Sequence, residues 1–245
     1  MPATESKTGA KEPSASEPAE EQMLGGLLVR RQRWSLSLPA KILLVLAVIG
    51  CIWMLKQHLQ PFLAVSEPVP AEILVVEGWS PPYAMKEAAE KFRTGGYKRI
   101  LVTRAIYDTY DQEALNPTSA DYIVRLLVRN GAPKDRIDAV YSSSVRKDRT
   151  FHTALSVKRW LSQHGLSVKG LDVATMGCHA RRSRLLYEKA FGDGVKIGIV
   201  PLEDVQYDPA RWWVSSEGVR EVLDETIAYG YARLLFRPSE ADLSP

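Results

Sequence analysis

Five short apolar runs, most of them rich in β-branched residues, constrain the fold of this chain more than any other feature. They lie in EILVVEG (72–78), KRILVTR (98–104), DRIDAVYSS (135–143), SVKGLDVATM (167–176) and VKIGIVPL (195–202). Runs of this length and composition are predicted to be buried strands, the third weaker than the rest. Helical spacing follows each of them, in AMKEAAEKFRTGG (84–96), NPTSADYIVRLLVRNGAP (116–133), DRTFHTALSVKRWLSQHG (148–165), ARRSRLLYEKAFG (180–192) and SSEGVREVLDETIAYGYARLLF (215–236). Four of these segments close on glycine, as a helix stop requires. Regular alternation of this kind predicts an α/β domain: a Rossmann-like, three-layer arrangement with a mainly parallel sheet of about five strands, covered on both faces. The domain is expected over 71–237, with a flexible tail at 238–245.

Parallel sheets bind ligands at the carboxyl ends of their strands. The rim predicted there collects Glu77, Gly78 and Trp79, then Thr103 and Arg104, then Ser142, Ser143, Ser144, Lys147, Asp148, Arg149 and Thr150. The fourth strand adds Gly177, Cys178, His179, Arg181, Arg182 and Ser183. The fifth adds Glu203, Asp204, Tyr207, Asp208, Arg211, Trp212 and Trp213. No Walker pattern is present and no GxGxxG follows the first strand, so the usual nucleotide fingerprints are missing.

The densest chemistry is GCHARRS (177–183), where a strand turns into a helix. A helix N-terminus carries unpaired N–H groups and positive potential, so arginines in its first turn cost about 0.3–1 kcal/mol each. A phosphate or carboxylate ligand held by Arg181, Arg182 and Ser183 would offset that, with Arg104 and Thr150 as further contacts. Pairing of the arginines with Glu203, Asp204 or Asp208 is the bland alternative. His179 suits acid/base work, with Glu77 or Asp148 as carboxylate partners. A Cys178–His179 nucleophile is disfavoured because adjacent residues rarely face each other; a small buried thiol fits better. Metal binding by His179, Glu77 and Asp148 is not specified by any spacing, and no cofactor is specified. Trp212 and Trp213 stack a ligand or close the rim over the core.

Composition enters the argument mainly at the N-terminus. Residues 1–34 open with a stretch rich in Glu, Ala, Pro and Ser that lacks the apolar surface to offset ordering, and are expected to be disordered. The run from Ile42 to Leu55 is wholly apolar. Extended back through Leu36, with Lys41 snorkelling, it reaches the roughly 20 residues that a membrane span needs. A transmembrane anchor is therefore expected over 35–58, with a linker over 59–70. Arg30, Arg31, Arg33 and Lys41 precede the run, which places the N-terminus in the cytoplasm and the domain outside it. A cleaved signal peptide and a lipoprotein signal ending in VIGC (48–51) are competing readings. With only Cys51 and Cys178, no disulfide framework is available. A net charge of +3 gives no case for a nucleic-acid partner.

Together, the anchor, the VVEGW turn, RTFHTALSVKRWL (149–161) and ATMGCHARRSRLLYEKAFG (174–192) resemble the YdcF/SanA/ElyC family of bacterial envelope proteins. Thr175, His179 and Arg182 match its Thr-Ser-x-x-His-x-x-Arg pattern, and Thr150 and Ala154 match its middle segment. His152 and Thr153 replace that segment's Glu-Asn pair. The resemblance implies cell-envelope work touching peptidoglycan precursors or polyprenyl-phosphate carriers, at the inner (plasma) membrane. Two functions follow as expectations. One is binding of, and action on, a phosphorylated or sugar-phosphate envelope intermediate. The other is a non-catalytic scaffold or regulator. Convergence of His179, Thr150 and Glu77 in one pocket would favour chemistry, and scattered or salt-bridged side chains the scaffold. A nucleotide or methyl-donor module is an analogy from sheet type alone.

Overall fold

A computed structural model describes residues 36–105, 118–142 and 147–239, with the dipeptides 22–23 and 28–29. Most of the expected N-terminal tail, the end of the C-terminal tail and rim residues Ser143 and Ser144 lie outside the described residues. The chain divides into two units, Met1–Ile49 and Gly50–Pro245. In the first, Gln22–Met23 pairs antiparallel with Leu28–Val29. Helix α1, Leu38–Leu63, contains the apolar run and continues through the first residues of the expected linker. It is the one helix among the described residues long and apolar enough to cross a membrane.

The second unit carries a five-stranded parallel sheet: β1 (Ile73–Glu77), β2 (Arg99–Ala105), β3 (Ile137–Ser142), β4 (Gly170–Met176) and β5 (Lys196–Leu202), in the order β3-β2-β1-β4-β5. The α/β expectation is met, with every pair parallel. All five residues of β1 and all seven of β4 are buried, as central strands covered on both faces must be. β3 is half-buried, which explains its weaker apolar signal.

Alternation along the strands sends side chains to two cores. Leu74, Val76, Ile100 and Val102 pack with α2 (Ala84–Thr94) and α3 (Thr118–Arg129). Val75, Leu101, Val173 and Ile199 pack with α4 (Arg149–Gln163), α5 (Ala180–Phe191) and the end of α6 (Ser216–Leu234). The chain winds outward from β1 to β3, then crosses back to β4, so the topological switch point lies between β1 and β4. A crevice opens at the carboxyl ends of the strands at such a point.

A buried carboxyl group lies within the β4–β5 pair. Asp172 accepts from Tyr97 Oη at 2.6 Å and from the Val69 N–H at 2.9 Å. On neighbouring β5, a Cβ at Gly198 would sit 1.8 Å from Asp172 Oδ1. Gly198, between Ile197 and Ile199, is thus a space requirement of this carboxyl group.

Candidate functional site

A cleft of about 670 Å³ lies at the switch point, lined by residues at the carboxyl ends of β1 and β2 and by residues of α4, α5 and α6. Its base is Glu77, the last residue of β1, which is 1% exposed. A carboxylate in that position needs donors, and three stand beside it among the described residues. Thr175, near the end of β4, donates from its hydroxyl; Ser183 Oγ lies 3.2 Å away; Trp79 Nε1 lies 3.2 Å away. Thr175 and Ser183 therefore sit beneath Glu77 and serve the site through it.

Next in the chain, Gly78 hydrogen-bonds its N–H to the Thr103 carbonyl at 2.9 Å. A Cβ there would meet that oxygen at 2.1 Å. The glycine of VVEGW thus permits a close backbone approach to β2, and the chain then presents Trp79 to the cleft. The Trp79 and His179 rings meet edge to face, with centroids 4.7 Å apart.

His179 ends the short turn Gly177–His179 that joins β4 to α5. Its Nδ1 lies 2.8 Å from Glu225 Oε1 and 2.8 Å from Arg182 Nη2. A bare lone pair facing a carboxylate would be repulsive, so we assign the proton to Nδ1, donating to Glu225. That leaves the ring's lone pair on Nε2, which lies 3.7 Å from Glu77 Oε2 and 3.3 Å from Arg182 Nη2. Arg182 grips the same Glu225 with two bonds, Nε to Oε2 at 2.8 Å and Nη2 to Oε1 at 2.9 Å. Such a fork is a strong and directional contact. A histidine oriented by a carboxylate, itself fixed by an arginine, is an arrangement suited to general acid/base work.

The electrostatics follow from burial and these partners. Burial by itself would raise the Glu225 carboxyl; donation from Arg182 and His179 overrides it and holds the group at about 2. On Arg182, burial opposes the charge, but Glu225 more than restores it and the guanidinium is held above its usual range. Burial, with Glu225 and Asp204 nearby, pushes the Glu221 carboxyl up. The folded pKa of Glu225 lies below its ordinary 4.5, so its contribution is present above about pH 4.5 and is lost as the pH falls towards 2. Glu221 acts oppositely: its contribution is present below its ordinary value and is lost as the pH rises through its raised one. Urea unfolding across pH 7 to 3 is expected to show an acid loss of about 2 kcal/mol from Glu225. Glu225→Gln should flatten that limb.

Six of the eight residues expected from sequence line this one cleft: His179, Glu77, Asp148, Arg182, Thr150 and Arg104. Asp148 takes a left-handed conformation, φ 53°, at the turn into α4, which aspartate tolerates. Ser183 is buried under Glu77. Arg181 is used elsewhere: its guanidinium lies 4.0 Å from the centroid of the Phe62 ring, and its Nε donates to the Phe62 carbonyl near the end of α1. The bland pairings also differ from expectation. Asp208 bonds Arg211, Asp204 accepts from Tyr83, and it is Glu225 that neutralises Arg182. Cys178 is buried against Tyr207 Oη at 3.3 Å, and burial pushes its thiol up to about 12, which disfavours a nucleophilic thiolate.

Sequence reasoning missed Glu221 and Glu225. With Ala228 and Ala232 they occupy one face of α6 at spacings of four, three and four. Two acids on a face that also carries small apolar residues are the signal, but only the docking of α6 beside α5 turns that face to the cleft. No protein-family model matches the chain, and comparison with curated proteins finds no match.

Proposed function

We propose that this chain is a single-pass membrane protein whose α/β domain lies outside the cytoplasm and acts in the cell envelope, binding a phosphorylated or sugar-phosphate intermediate and acting on it. The observation that carries this reading is the placement of His179 between Glu225 and Glu77 in the switch-point cleft. The cleft is lined by two chemically distinct sets of groups. Arg104, Arg149, Thr150 and the start of α4 supply positive potential and hydroxyl groups suited to an anionic group. Glu77 and His179 supply a carboxylate and an imidazole for moving a proton to or from the bond that reacts. The basic cluster before α1 and the resemblance to the envelope family support the orientation and setting.

The scaffold reading is favoured by one observation: Arg181 and Arg182, two of the expected anion ligands, are engaged by the Phe62 carbonyl and Glu225. Calorimetric titration of the purified full-length protein with N-acetylglucosamine 1-phosphate and with inorganic phosphate separates the two. Binding is expected, and Arg104→Ala should weaken it about tenfold or more, since a hydrogen bond to a charged group contributes ~1.5–3 kcal/mol. His179→Ala should retain binding and abolish any turnover of the sugar phosphate. No heat with either ligand would favour the scaffold.

A further inference from the structure

We propose that the turn Pro209–Val214 is a second membrane contact, with Trp213 and Val214 seated in the lipid headgroup layer where α1 leaves the bilayer. This rests on the reading of α1 as a membrane span. The cleft makes no use of this tryptophan-rich turn, yet the turn packs on α1. Trp212 Nε1 donates to the Lys56 carbonyl at 2.9 Å, and Lys56 Nζ lies 4.3 Å from the centroid of the Trp213 ring. Trp212 is buried and meets Trp213 edge to face. Val214, next in the chain, is 65% exposed.

The footprint of the domain on α1 stops at that level. Lys56, Leu59, Gln60 and Leu63 share a helix face that is wholly or partly covered. One turn earlier the same face carries Trp53, which is 63% exposed. Leu38–Leu55 is 18 residues of α1, about 27 Å long at 1.5 Å per residue. A hydrocarbon core is about 30 Å thick, so a span that begins at Leu38 reaches Leu55. Lys56 is the next residue, and Trp213 lies on its ammonium group. No length of bare helix separates lipid from the domain. The headgroup layer beyond the hydrocarbon is only about 5–7 Å deep on each side, so a ring at Lys56 falls within it. Tryptophan and a snorkelling lysine are the residues suited to that layer, and an exposed valine beside them reaches towards the acyl chains.

The test uses the full chain reconstituted in phosphatidylcholine–phosphatidylglycerol vesicles. Cys51→Ser leaves only the buried Cys178, and a single cysteine is then introduced as Val214→Cys or Ile49→Cys and labelled with an environment-sensitive fluorophore. Lipids spin-labelled at the headgroup or deep in the acyl chain act as quenchers. The expected result is deep-chain quenching at position 49, with blue-shifted emission and headgroup quenching at position 214. Deep quenching at 49 with water-like, unquenched emission at 214 overturns the second contact and leaves the anchor standing. Absence of quenching at 49 overturns the anchor itself, and this proposal with it.

Discussion

Replacing Glu225 with alanine is expected to cost the domain about 3–5 kcal/mol, the range for breaking a buried ion pair from one side. The side chains of Glu225 and Arg182 are 11% and 19% exposed, so little water is available to take over from the lost partner. Alanine would leave the guanidinium with two unmet donor positions and release His179 Nδ1 from the acceptor that orients it. The loss should appear as a lower urea midpoint at unchanged slope. A Glu225→Leu, Arg182→Met double variant should recover most of it, because removing both charges removes the desolvation cost together with the attraction. From sequence, Arg182 reads as a ligand contact whose loss would leave the melting temperature nearly unchanged. Its fork on Glu225 reverses that expectation: Arg182→Ala should lower the melting temperature as well. A change below about 1 kcal/mol in Glu225→Ala would mean that the pair is solvated and does not support the site.

Gly78→Ala is expected to destabilise by about 3 kcal/mol or more, at the upper end for forced overpacking. The added methyl group would lie 2.1 Å from the Thr103 carbonyl oxygen and 3.4 Å from Val102 Cγ1. The first of these is a backbone atom of the adjacent β2 strand and cannot turn aside as a side-chain end can. Relief requires β1 and β2 to separate at their carboxyl ends, which also breaks the Gly78–Thr103 hydrogen bond and displaces Trp79 from His179. Gly194→Ala is the matched control: a Cβ there meets nothing within 4 Å. A midpoint for Gly78→Ala equal to that of the control would show that the two strands yield freely at this point.

Much of the fold is legible along the chain because strands and helices leave different periodicities. The β-branched run of β1 and the small-residue, amphipathic pattern of α2 are local facts, set by which residues can be buried on both faces or on one. The half-buried β3 gave a weaker signal for the same reason. The rim is legible too, since the residue after each strand falls at the same end of a parallel sheet. Hence Glu77, Thr103, Arg104, Asp148, Thr150 and His179 are recognisable as rim residues from the sequence, and all of them line the cleft. Direction along a rim is less legible. Arg181 and Arg182 are neighbours in sequence, yet a helix points them roughly 100° apart, one towards Phe62 and the other towards Glu225. Nothing local distinguishes them.

Sequence alone determined the α/β class, the apolar helix before the domain, and the strand-to-helix turn that carries His179. These depend on residue order within a single element. Only the tertiary structure decided that α6 supplies Glu225 to His179, that Arg182 carries a matched rather than an open charge, and that Trp212 bonds the carbonyl of Lys56. Each joins residues tens to more than a hundred positions apart. Such pairs are selected by which helix faces pack together around the sheet, and chain order does not record that choice.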